Sequence, residues 1–291
     1  MTWFASLRKS AAAASPVDDV HVYDSDGRSD PNQLRPVTPR ELARAITGKD
    51  LLFVAHGFNV SQSKGVAQLS ALEAALRAGT GGGPPLGRNM VFFGVLWPGD
   101  SWLRYVNYVV EGDTAEDSGL RLATFCNQSL GAARSLSFAS HSLGARVILT
   151  TAAALDRDPE MLCLTAAAVN SDALSRGHAA AARRTRRLYN LSSKHDRVLR
   201  GAFPIGDLFG DLLSSDDGSH FKRALGLVGA RPAGTPQGLV DRKIPSGWGV
   251  PSANEYDHDN YLPDMTGRDH RWEKVAAFLA AIFLGHTPAW P

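Results

Sequence analysis

Short continuous apolar runs, most followed by a helix-spaced pattern, recur along the chain. Asp50-Leu51-Leu52-Phe53-Val54-Ala55, Met90-Val91-Phe92-Phe93-Gly94-Val95-Leu96, Leu136-Ser137-Phe138-Ala139, Leu164-Thr165-Ala166-Ala167-Ala168-Val169 and Arg187-Leu188-Tyr189-Asn190-Leu191 have the length of strands and little polar alternation. Runs of that kind suit strands covered on both faces of a parallel sheet. Between them, Val66, Leu69, Leu72 and Leu76 recur at helical spacing up to Gly79, which has the freedom to end a helix. Further helices are predicted over roughly Ala115 to Leu130 and from the end of the Leu136 run to Leu155. Strands alternating with helices predict an α/β fold with a doubly wound, mostly parallel sheet and helices on both faces.

The flanks are less regular. Residues 1 to 17 read as a loosely held leader, and residues 18 to 291 as one domain with no internal repeat. Val20-His21-Val22-Tyr23 alternates like an early strand, and residues 24 to 36 form a polar loop. Thr38, Pro39 and Glu41 have the spacing of a capped helix start. From Arg197 to Pro251 the pattern weakens into loops expected over one face, with Gly238 to Ile244 as a last strand. Arg271 to Gly285 predicts a closing amphipathic helix with Trp272, Val275, Phe278, Leu279 and Ile282 on one stripe.

Candidate chemistry starts where the Leu136 run ends. Ser140-His141-Ser142-Leu143-Gly144 joins a strand to a helix with the pattern small-x-Ser-x-small, the nucleophile elbow of α/β-hydrolases. Small neighbours are needed because the turn is sharp; Ser140 stands where glycine is usual, and Gly144 fits the pattern. Such a turn lifts the Ser142 hydroxyl above the sheet edge and aims the Leu143 N–H toward a developing oxyanion. His56-Gly57-Phe58, after the Leu51 strand, has the form of a second oxyanion turn: Phe58 would supply the N–H, Gly57 close approach, and His56 a brace.

Serine needs a histidine to take its proton and a carboxylate to orient that histidine. In the order serine, acid, histidine, Asp196 follows the strand ending at Leu191 and is the preferred acid; Asp172, one strand earlier, is its rival. His258 lies in a loop just before the last helix and is the preferred base, with His195, His220, His270 and His286 as alternatives. Trp97, Trp102, Tyr105 and Tyr108 are candidates to line an acyl pocket.

Composition narrows the partners. A net charge of +2 and a pI near 8.6 give no footprint for nucleic acid. Arg183, Arg184, Arg186 and Arg187 read as a solvated strand entrance. Asp257 and Asp259 flank His258 without any H-x-x-x-H or H-E-x-x-H spacing, the Gly79 to Gly87 stretch lacks the Gly-Lys-Ser/Thr of a phosphate loop, and the two cysteines form no ligand pattern. No cofactor and no metal are therefore expected. Without a signal peptide or a transmembrane-length run, a cytoplasmic location is expected, and a small acyl substrate is the expected partner.

Over roughly residues 50 to 285 the chain resembles the α/β-hydrolase superfamily. More narrowly, it resembles a bacterial α/β-hydrolase family catalogued as a domain of unknown function. The resemblance rests on His56-Gly57-Phe58-Asn59, Trp97-Pro98, Ser140-His141-Ser142-Leu143-Gly144-Ala145-Arg146, the strand end at Asp172, and Ser193-Lys194-His195-Asp196. Leu143 stands where that family often has methionine. The resemblance implies a serine hydrolase with Ser142, Asp196 and His258 as its triad and fixes no substrate. The expected activity is cleavage of a carboxylic ester or thioester. An amidase, peptidase or perhydrolase would use the same parts, and a non-catalytic binding or scaffold protein is the reading from another class.

Overall fold

The structure, a computed structural model, describes residues 2–8, 16–25, 33–100, 108–201, 223–231, 236, 238–247 and 252–291; the side chains of 16–18 and 108–113 also lie outside the description. Among these residues, nine strands form one sheet: β1 (Trp3–Arg8), β2 (Pro16–Asp24), β3 (Arg35–Pro36), β4 (Asp50–Ala55), β5 (Met90–Leu96), β6 (Ser135–His141), β7 (Met161–Thr165), β8 (Arg187–Ser192) and β9 (Leu239–Lys243). Their spatial order is β3-β2-β1-β5-β4-β6-β7-β8-β9. From β1 to β9 every neighbouring pair is parallel; β2 and β3 are antiparallel additions at one end.

The apolar runs are long because both faces of the inner strands are covered. In β4, Leu51, Phe53 and Ala55 enter one core and Leu52 and Val54 the other. The first face is closed by α1 (Pro39–Ile46), α3 (Tyr108–Ser129) and α4 (Gly144–Ala154); the second is closed by α2 (Gln62–Ala78) and the last helix, Trp272–Phe283. In-register aromatics cross the first face. Trp3 meets Phe93 edge-on at 5.7 Å, Phe93 stacks on Phe53 at 4.7 Å, and Phe53 on Phe138 at 5.3 Å.

Local signals set the helix ends. Thr38 accepts from the Glu41 N–H while Glu41 reaches back to the Thr38 N–H, a capping box that opens α1. Gly79, at φ 69°, closes α2 in the left-handed region.

Three expectations are corrected. Trp3 to Arg8 is not part of a loose leader. It is an inner strand, held by β2 on one side and β5 on the other, with Phe4 buried against Gly94. Its mixed apolar residues serve two cores, so the run has no period to read. The strand expected over Leu164 to Val169 is Met161–Thr165 instead. Ala166 turns to φ 45°, a left-handed value that breaks the ladder, and the following alanines are buried backbone packed against the turn after β6. The third helix begins at Tyr108, earlier than Ala115.

No helix of the described residues is long and apolar enough to cross a membrane. The basic cluster is half-neutralised at the sheet edge: Arg184 pairs with Asp158, and Arg186 and Arg187 with Glu160. Of the 197–251 stretch, the described parts include two short helices, Arg197–Gly201 and Leu225–Val228, and β9 as an edge strand.

Candidate active site

The chain leaves β4 toward β5 on one side, and β6 then returns to lie on β4's other side. Reversal of strand order opens a crevice at the carboxyl ends of the two strands that part there, where open α/β sheets bind their ligands. His56-Gly57 leaves β4 at that point, and Ser142 leaves β6 beside it.

Ser142 has φ 55°, a left-handed value that a residue with a Cβ adopts only at a cost. The surroundings hold it there. Its N–H donates to the Thr165 carbonyl at 3.0 Å, and its carbonyl accepts from Ala145 at 3.0 Å and Ala168 at 3.1 Å. Thr165 also donates its hydroxyl to the Ser140 carbonyl at 2.7 Å. Two glycines make room. A Cβ on Gly144 would sit 2.4 Å from the His56 carbonyl oxygen, and one on Gly57 would sit 2.9 Å from both the Ser142 Cβ and His141 Nδ1. Ser140, in the position where glycine is usual, is accommodated fully buried.

The structure brings Ser142, His258 and Asp196 together. His258 Nε2 lies 2.8 Å from Ser142 Oγ, and its Nδ1 lies 2.8 Å from Asp196 Oδ2. A carboxylate only accepts, so Nδ1 carries the proton and donates to it, leaving the Nε2 lone pair to accept from the Ser142 hydroxyl. Asp196 is fully buried, and its second oxygen accepts the Leu199 N–H at 2.8 Å. The His258 segment is a 3-10 turn capped by Asp257, whose Oδ1 accepts the N–H groups of both His258 and Arg197, at 2.8 and 2.9 Å. The residue before the histidine is thereby tied to the residue after the aspartate.

The rivals lie elsewhere. Asp172 is buried beside the Arg176 guanidinium, at 3.4 Å. His270 is exposed and bonds Glu273 at 2.9 Å, and His195 is tied by its N–H to Ser193 Oγ. His220 lies outside the described residues.

Phe58 and Leu143 flank Ser142: Leu143 follows it as the N-cap of α4, and Phe58 follows Gly57, which stands against the Ser142 Cβ. His56 is a brace in geometric terms. It is fully buried, its Nδ1–H donates to the Gly57 carbonyl at 2.9 Å, and its ring stacks on Trp97 at 5.7 Å. Trp97 is corrected from pocket wall to core: it is fully buried, and its indole N–H donates to the His56 carbonyl at 2.8 Å. Trp102 and Tyr105 lie outside the described residues, and Tyr108 begins α3 with its side chain outside the description.

Two parts of the site carried no readable sequence signal. Arg8, at the end of β1, is buried; it pairs with Asp100 at 2.5 Å and donates to the Val60 carbonyl at 2.9 Å. With the Asn59 N–H on the Gly99 carbonyl at 2.6 Å, it locks the loop after β4 to the loop after β5. The other is His141. It sits inside the recognised motif but at one of its unspecified positions, and it is buried against His258.

Burial, reinforced by the nearby charge of Arg8, pushes the His56 pKa down to about 3. Burial, and then the charge His258 can carry, pushes His141 well below the usual imidazole value. Both rings therefore stay neutral in the folded chain while the same residues in the unfolded chain take up protons below about pH 6.5. Stability is thus full above that pH and declines as pH falls through it, by up to about 1.4 kcal/mol per pH unit per ring. Urea midpoints should hold level from pH 7.5 to about 6.5 and fall from there to pH 5; a midpoint that stays flat or rises below pH 6.5 would contradict this reading of the two rings.

A scan against protein-family models returns no match to this chain. A search of curated proteins returns none either.

Proposed function

We propose that the chain is a serine hydrolase of the α/β-hydrolase fold, cleaving a carboxylic ester or thioester through an acyl-enzyme. The observation that carries this reading is the unbroken path from Ser142 Oγ through the His258 ring to Asp196, with 2.8 Å on each side of the ring. The left-handed Ser142 between two close-packed glycines, at the strand-order reversal, supports it independently.

In this mechanism Ser142 Oγ attacks the acyl carbon as His258 Nε2 takes its proton. The negative charge gathers on the former carbonyl oxygen, which the N–H groups of Phe58 and Leu143 receive, the latter reinforced by the N-terminus of α4. Asp196 stabilises the imidazolium without taking its proton. His258 returns that proton to the leaving alcohol or thiol, and the ester to Ser142 remains. Water activated by the same histidine then releases the acid.

The test is labelling of the folded protein with a fluorophosphonate, followed by p-nitrophenyl esters of increasing chain length. One phosphonyl group on the Ser142 peptide and saturable ester turnover are expected. A folded protein that takes no label and turns over no ester would reject the enzyme and favour a binding role for the same fold.

A further inference from the structure

The ring next to Ser142 has no part in the steps above, yet it touches the base. His141 Nε2 lies 2.8 Å from the main-chain carbonyl oxygen of His258, and the two rings lie 4.7 Å apart. A carbonyl can only accept, so His141 must carry its proton on Nε2 and donate it there. The contact spans two distant parts of the chain: one partner ends β6, and the other lies in the turn before the last helix.

We propose that His141 is a positioning residue for the reaction, fixing the backbone of His258 over Ser142 while Asp196 fixes its ring. The inference rests on the hydrolase reading above. Asp196 fixes how the imidazole is turned, through its hydrogen bond to Nδ1. It does not set the height of the His258 main chain above the sheet. The His141 hydrogen bond does so from the sheet side, as the Asp257 cap does from the residue after Asp196: His141 is the last residue of β6, and its buried ring stands with Nδ1 toward Gly57 and 6.0 Å from the Tyr261 ring. The titratable groups around His141 are His258, Tyr261, His56 and Lys64. Burial keeps its ring neutral among them. A neutral donor suits the place, since it holds the carbonyl without setting a full positive charge against the imidazolium that His258 becomes.

Side-chain geometry supplies a discriminating pair of variants. The amide nitrogen of glutamine falls near the position of a histidine Nε2, whereas that of asparagine falls near Nδ1. His141→Gln therefore keeps a donor at the His258 carbonyl, and His141→Asn carries the same amide to the wrong place. Misplacement of a reacting group by about 1 Å costs on the order of 10²-fold in rate. We expect the fluorophosphonate kinact of His141→Asn to fall by that factor, with KI little changed, and that of His141→Gln to stay within about tenfold of the wild type. In ¹⁵N-histidine spectra His141 should show the neutral Nε2–H form at pH 7. Asparagine and glutamine variants that label alike, or an Nδ1–H form of His141, would overturn the positioning role while leaving the hydrolase intact. A wild type that takes no label would instead overturn the hydrolase reading. The ¹⁵N spectra need no activity and judge the His141 contact in either event.

Discussion

Replacing Ser142 with alanine should lower ester turnover by something like 10⁶ and abolish fluorophosphonate labelling. Removal of the attacking group from a serine–histidine–carboxylate unit costs about as much as removal of the whole unit, because the other members then have nothing to act on. The backbone supplies a companion measurement. At φ 55° a Cβ is a burden and glycine carries none. Ser142→Gly should therefore be as inactive as Ser142→Ala but more stable than it by about 1 kcal/mol in chemical denaturation. Retained labelling in the alanine variant would remove Ser142 from the nucleophile's role. An alanine variant as stable as the glycine variant would argue that the turn is not held in the left-handed region.

Changing Asp196 to asparagine should cost 10³ to 10⁴ in kcat, and the reason lies in how the carboxylate is held. One oxygen accepts the Leu199 N–H and the other the His258 Nδ1–H. An asparagine there can satisfy Leu199 only with its carbonyl oxygen, which turns its NH₂ toward the imidazole. His258 must then present its Nδ1 lone pair to that amide and carry its proton on Nε2, facing a hydroxyl it can no longer deprotonate. Asp172→Asn should change kcat by less than about tenfold, since Asp172 pairs with Arg176 and not with the imidazole. Circular dichroism of both variants separates this loss from unfolding, and the opposite ranking of the two would transfer the acid's role to Asp172.

Much of this arrangement is legible in the sequence, and the reasons differ by element. Strands β4, β5, β6 and β8 were readable because burial on both faces leaves continuous apolar runs. The chain order of Ser142, Asp196 and His258, each placed at a strand end or in a loop, pointed to the three residues that the structure joins. Strand β1 was not readable. Trp3 to Arg8 is short, has no period and ends in a charge, and what makes it a strand is pairing with Phe93 to Leu96, far along the chain. Strand β7 was displaced by a few residues because an apolar run shows no register, and the left-handed Ala166 that ends it has no compositional mark. Trp97 was misread because an aromatic near a site can serve either pocket or core. Its N–H bond to the His56 carbonyl decides for core and is a tertiary fact.

The inner position of β1 also makes the sheet depend on one long-range pairing. Trp3–Arg8 and its antiparallel partner Pro16–Asp24 are near each other in sequence, whereas the β5 residues on which Trp3–Arg8 docks lie about ninety positions further along the chain. Without that docking the rings of Trp3 and Phe4 would have no core to enter, and Phe93 to Leu96 would be left as an unpaired edge. Closing this side of the sheet therefore waits on a contact of high sequence separation, the kind of contact that slows folding.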